Sequence, residues 1–278
     1  MNERDRAIPT NSPDVSLQNT WWGEFPFEIG AWGHWRVGPL ALWLGRSEHD
    51  WQIVYARDVD PFLDESHLEL PVDLRRVPVP PDGEQHRVGY ASTPGMLELR
   101  PMLADRAVVA RPDSAFSIPS LQRVSVFVST AVWVRLGCGP QRERLLEIPT
   151  WRSSDTWFGD NRSGFLCYAT RTAMRLEVDE LPLRPHRAVT PIVIDNQGQD
   201  ALNIERISLP IPNLSVFVSP AGALWTERLH LTRQEDAELA QVHIESDSPP
   251  IPGAVRLSEP RVVAEDKLLS RVFTGLFG

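Results

Sequence analysis

Val124-Ser-Val-Phe-Val-Ser-Thr-Ala-Val-Trp-Val-Arg-Leu136 decides the fold. Valine returns at nearly every second position, and alternation carried by β-branched residues marks a half-buried strand. The stretch reads as the clearest strand pair in the chain, Val124–Ser129 followed by Ala131–Leu136. Its first part has an echo: Ser125-Val-Phe-Val-Ser129 recurs as Ser215-Val-Phe-Val-Ser219. Ser117-Ile-Pro119 precedes the first copy and Ser208-Leu-Pro210 the second. Arg106-Ala-Val108 and Arg187-Ala-Val189 lie further upstream, and Trp133 and Trp225 follow. Ordered matches of this kind suggest two related β modules, an internal duplication. The other reading is chance among strands rich in Val, Ser and Phe.

Working outward, the pattern stays β. Six of the ten tryptophans lie between Trp21 and Trp51. Trp35–Leu44 reads as a strand, Arg46–Asp50 as a polar turn and Trp51–Tyr55 as the return strand. Prolines 78, 80, 81 and 94 break the next stretch into short strands, edges or loops, because proline fixes φ and removes a donor. Phe165–Thr170 with Met174–Val178, and Val189–Ile194 with Leu202–Leu209, read as further strand pairs. Leu214–Ser219, Leu224–Leu229 and Ala240–Ile244 follow as strands. Short strands with frequent turns suggest sandwiches or barrels. The expected fold is therefore all-β: two sandwich-like, immunoglobulin-like modules at 20–149 and 150–259, after a disordered leader at 1–19. At the end, Leu268, Leu269, Val272, Phe273, Leu276 and Phe277 form one stripe of 3.6-residue period, which predicts an amphipathic helix within 260–278.

Composition narrows the function. The chain has 278 residues, with 28 basic against 37 acidic side chains and a net charge of −9. An acidic surface repels a phosphate backbone, and no run of basic residues offsets it, so nucleic acid is not an expected partner. The longest uncharged apolar stretch, Val124–Val134, is too short for a membrane helix, so direct membrane insertion is not expected. The polar N-terminus lacks the apolar centre of a signal peptide, and Cys138 and Cys167 form no C-x-x-C pair. A cytoplasmic protein with reduced thiols and no cofactor is the expectation.

The familiar catalytic and metal motifs are missing: no nucleophile elbow, no H-E-x-x-H, no phosphate loop and no EF-hand loop. Seven histidines, His34, His49, His67, His86, His186, His230 and His243, are scattered without metal-ligand spacing. Three groups remain as candidates. The segment around Asp155, Trp157, Asp160 and Asn161 has oxygens for a hard cation, or two carboxylates for glycosidic chemistry; its plainer reading is a hairpin turn. Trp21, Trp22 and Trp32, beside glycines and acids, are candidates for an exposed stacking platform. The terminal apolar stripe Leu268, Leu269, Val272, Phe273, Leu276 and Phe277 is a candidate partner contact.

Four stretches carry a resemblance. They are Trp157-Phe-Gly-Asp-Asn-Arg-Ser-Gly-Phe-Leu-Cys-Tyr-Ala169, Arg187-Ala-Val-Thr-Pro191, Leu209-Pro-Ile-Pro-Asn-Leu-Ser215, and the Val-Phe-Val-Ser-Thr-Ala-Val-Trp-Val-Arg-Leu run ending at Leu136. Together they resemble an uncharacterised prokaryotic family, the domain of unknown function numbered 432, over most of residues 20–277. The resemblance implies a β-rich fold and the occasional company of small mechanosensitive channels. It supplies no catalytic residues. The leading functional expectation is a non-enzymatic module that binds a protein partner, with a membrane channel as one such partner. The alternative is a carbohydrate-binding or glycoside-hydrolysing protein that uses the tryptophan platform and the Asp155/Asp160 loop.

Overall fold

A computed structural model describes residues 20–263 and 268–270, apart from 160, 163, 173, 178–180, 234–239 and 247. The chain is all-β, with strands in five sheets and no α-helix among the described residues. The tryptophan-rich region forms a five-stranded antiparallel sheet. Trp32–Val37, Leu40–Arg46 and Asp50–Arg57 are consecutive, and Ser66–Glu69 and Glu84–Gly89 close its two edges. The single strand expected over 35–44 is two strands. Gly38 takes φ +59°, a left-handed conformation that glycine adopts without cost, and turns the chain with Pro39.

The sheet alternates strictly. Trp35, Leu42, Leu44, Trp51 and Ile53 face inward and are buried. Phe25 of the first short strand Gly23–Pro26, and Phe27 just after it, cover Trp35 and Trp51 with ring centroids 5.0–6.1 Å apart. The outer face is covered too. Val77 and Val79 of the proline-rich loop pack on Ala41, Trp43 and Val54.

The deciding stretch forms its strands but not its expected pair. Gln122–Ala131 and Trp133–Cys138 follow each other without a turn. The chain leaves one sheet and enters another at Val132, whose carbonyl accepts from the Thr150 backbone N–H at 3.0 Å and its hydroxyl at 2.6 Å. Trp133–Cys138 lies between Met96–Met102 and Glu143–Pro149. Gln122–Ala131 pairs instead with Arg187–Asn196 along ten residues, from Gln122↔Asn196 to Ala131↔Arg187. No turn residue separates the two halves of the stretch, so nothing folds one back on the other.

Other pairings differ from the expected ones for the same reason: remote partners win over neighbours. Leu202–Ile204 pairs with Phe116–Ile118, and Ile207–Leu209 with Val108–Pro112, rather than with the strand before them. Parallel pairs occur as well, Phe165–Thr172 with Val108–Pro112 and Arg187–Asn196 with Arg228–Arg233. They depart from the wholly antiparallel sheets of an immunoglobulin-like sandwich. The two Ser-Val-Phe-Val-Ser copies share one eight-stranded sheet but not a pairing pattern. The second is a three-residue strand, Val216–Val218, set between Leu224–Trp225 and Val255–Ser258.

One apolar core runs from Trp35 and Trp51 through Val126 and Val134 to Ile192 and Leu229. Strands from both sides of residue 149 therefore share sheets and core. The expected terminal helix is corrected: Leu268–Ser270 is a strand antiparallel to Ala240–Glu245, with Gln241 opposite Leu269. An apolar stripe that suits a helix was overridden here by an open sheet edge offering backbone partners. Val272, Phe273, Leu276 and Phe277 lie outside the described residues.

Candidate functional site

The most distinctive surface is the hairpin made of Ser154–Phe158 and Phe165–Thr172. Gly159, at φ +103°, begins its turn. Period-two alternation divides it into two faces. On one face Thr156 opposes Cys167, and Phe158 opposes Phe165. Phe158 and Cys167 are fully buried there with Val109, in a small core of their own. The Cys167 thiol donates to the Thr156 carbonyl at 3.4 Å, and burial pushes its pKa up, which makes it a packing residue.

The other face is different. Trp157 and Leu166 stand directly opposite each other and stay 49 % and 47 % exposed. The next pair along that face is Asp155 and Tyr168. Tyr168 donates its hydroxyl to Asp105 at 2.9 Å, and burial followed by this bond raises its phenol pKa. Arg106 bridges to Asp155 at 3.3 Å and lies over the Tyr168 ring at 5.4 Å. An apolar pair is thus bordered by a braced polar group, the arrangement of centre and rim found in protein interfaces. Ser154–Phe158 is also the outer strand of its four-stranded sheet.

The strand Phe165–Thr172 leads at its far end toward a groove of about 500 Å³. Phe116, Ile118, Val124, Val126, Met174 and Leu176 are among its lining residues. The volume is that of a small-molecule site. Its polar lining is Asp113, Ser114 and Ser117, all exposed, and Arg175, which is half-buried with its Nε enclosed and unpartnered.

The other sequence candidates fare unevenly. Trp21 and Trp22 are buried, at 1 % and 8 % exposure, which corrects the expectation of a stacking platform. The Trp21 indole donates to the Pro185 carbonyl at 2.9 Å and meets Trp22 edge-on at 5.3 Å. Both rings have more to gain from the core than from water. Trp32 is half-buried; its ring lies over Gly45, so close that an added methyl there would stand 2.5 Å from it. Asp155 spends its carboxylate on Arg106, Asn161 is exposed, and Asp160 lies outside the described residues. The cation loop and the paired carboxylates both need Asp160 and so lie in part outside the described residues. No group of three or more His, Cys, Asp or Glu side chains is placed to hold a metal there, and no helix is long and apolar enough to cross a membrane.

Sequence reading missed the histidine pair His34 and His67, which sheet register brings together at 3.2 Å. They lie on different strands, so local spacing could not reveal them. The tryptophan-rich hairpin was the only signal nearby.

These features define a class: an all-β protein with an exposed apolar pair on an edge hairpin. The chain belongs to the family described as Protein of unknown function (DUF432), whose model matches residues 21–277. No curated protein and no solved structure matches the chain significantly.

Proposed function

We propose that this chain is a protein-binding β module that receives an extended segment of its partner along Ser154–Phe158. Strand addition supplies affinity through backbone hydrogen bonds and specificity through alternate side chains. The observation that carries the reading is the exposed Trp157–Leu166 pair on an edge strand. Trp157 and Leu166 serve as the anchor, and Asp155, Arg106 and Tyr168 form the polar rim. Sheet edges left open are normally blunted by charge, proline or a bulge. This one carries Asp155, held by Arg106, beside an exposed tryptophan. The free, buried thiols of Cys138 and Cys167 fit a reducing, cytoplasmic setting. The resemblance stated above supplies the first partner to test, a small mechanosensitive-type channel presenting its cytoplasmic part to the hairpin. Trp21 and Trp22, buried as they are, withdraw support from the carbohydrate alternative.

The test is recovery of that channel with the full chain from detergent-solubilised membranes. Wild type and a Val255→Ser control, altered at an exposed apolar residue on another strand, are expected to retain it. Trp157→Ser and Leu166→Ser are expected to lose at least nine-tenths of it while unfolding at the same denaturant concentration. Equal recovery with Trp157→Ser would move the contact away from the hairpin.

A further inference from the structure

A second feature lies on the opposite side of the chain's logic, in the tryptophan-rich sheet. His34 belongs to Trp32–Val37 and His67 to the edge strand Ser66–Glu69. The register pairs His34 with Glu69 and Arg36 with His67, so the two histidines meet on the diagonal. His34 Nδ1 and His67 Nε2 face each other at 3.2 Å, with the rings tilted by 56°. His34 is buried and packs against Trp43 at 4.6 Å between ring centroids, while His67 is exposed. The pair is therefore fixed from within and open to solvent from without.

Two ring nitrogens this close have two uses. In the metal-free protein one ring N–H donates to the other ring. A zinc ion binds imidazole nitrogen at 2.0–2.1 Å, so two nitrogens across a tetrahedral angle stand about 3.3 Å apart. The observed separation is close to that value. We propose that His34 Nδ1 and His67 Nε2 are two ligands of a divalent transition-metal site of the zinc class, completed by the carboxylate of Glu69 and by water.

The surroundings suit this. Glu69 occupies the register position opposite His34 and shares an ion pair with Arg76. Arg76 is largely exposed, and a surface pair of this kind contributes little, so Glu69 can exchange it for a metal. The nearby cation Arg36 is neutralised by Glu65 at 3.2 Å and Asp58 at 3.6 Å. Metal ligation needs both facing nitrogens without protons. On binding, the ring nitrogen that donates in the metal-free pair releases its proton to solvent, and the same ring takes one up at its outer nitrogen. As the side chains stand, the three ligands do not yet converge; the Glu69 carboxylate has to leave Arg76.

Titration of the untagged full chain with Zn²⁺, in competition with a chromogenic chelator, tests the site. One equivalent is expected to bind, and Ni²⁺ at the same site is expected to quench tryptophan fluorescence through Trp43. His67→Ala, an exposed substitution that the fold tolerates, is expected to weaken Zn²⁺ binding at least tenfold, and Glu69→Gln likewise. His243→Ala, at an exposed histidine in a different sheet, is expected to change nothing. Absence of binding by wild type, or affinity unchanged in His67→Ala or Glu69→Gln, would overturn the assignment. Loss of partner recovery at the hairpin has no bearing on this result, so the two proposals fail separately.

Discussion

The sheet of Trp32–Glu69 and the sheet of the Ser154–Thr172 hairpin are both built from alternating strands with tryptophan among them. Their tryptophans have opposite fates. Trp35 and Trp51 are wholly buried, whereas Trp157 is half exposed. The side chains are the same, so what differs is the cover. The first sheet is covered by Phe25 and Phe27 on one face and by the proline-rich loop on the other. The hairpin buries Phe158 and Cys167 on one face and presents Trp157 and Leu166 on the other. Burial of an aromatic thus depends on a second layer that local sequence does not announce.

Substitutions can break that contrast in graded steps. Trp51→Ala removes a fully enclosed ring and is expected to cost about 3–5 kcal/mol, read as a fall in the urea midpoint at constant slope. Acid comes next. His186, buried and flanked by Arg184 and Arg187, is held at a pKa of about 4, chiefly by desolvation, and so is His34. The unfolded chain takes up these protons near pH 6.5 and the folded chain only near pH 4. Stability is therefore present above pH 6.5 and lost as pH falls through this window. Urea midpoints at pH 7, 6 and 5 should fall in order, and His186→Gln should flatten the trend.

Gly38→Ala is expected to cost at least about 1–2 kcal/mol from its left-handed φ alone. A Cβ there would also stand 2.2 Å from the His186 ring. Both thiols, Cys167 on the hairpin and Cys138 in the sheet of Trp133–Cys138, are pushed up in pKa by burial, so neither is expected to react with a disulfide reagent at pH 8 until the protein is denatured. Trp157→Ser sits at the bottom of the scale, within about 0.5 kcal/mol of wild type in stability. If it destabilised the protein as much as Trp51→Ala, the hairpin face would be covered and the contrast would be false.

Much of the strand content was legible. Val124–Leu136 announced its strands through β-branched alternation, and Phe165–Thr170 through its apolar run. Pairing was not legible. Val128 lies opposite Thr190 because ten residues of ladder fit there, and the sequence offers no local sign of it. The terminal stripe misled because 3.6-residue periodicity measures a helix in isolation, while Leu268–Ser270 found an edge to join. The site was half legible. Asp155 and Trp157 were singled out, but for oxygen ligands and carboxylate chemistry. Their neighbour Leu166, which makes the surface apolar, stood out only once strand register was known.

The ladder between Gln122–Ala131 and Arg187–Asn196 also governs the order in which this protein comes into being. During synthesis the first strand emerges long before the second, and contacts so distant in sequence are slow to form. Until residue 196 has cleared the ribosome, Gln122–Ala131 carries an apolar edge with no partner, the condition under which nascent chains associate wrongly. A fragment ending at Pro149 would carry that same bare edge throughout its life. It is expected to aggregate rather than fold, although it holds every tryptophan of the first sheet.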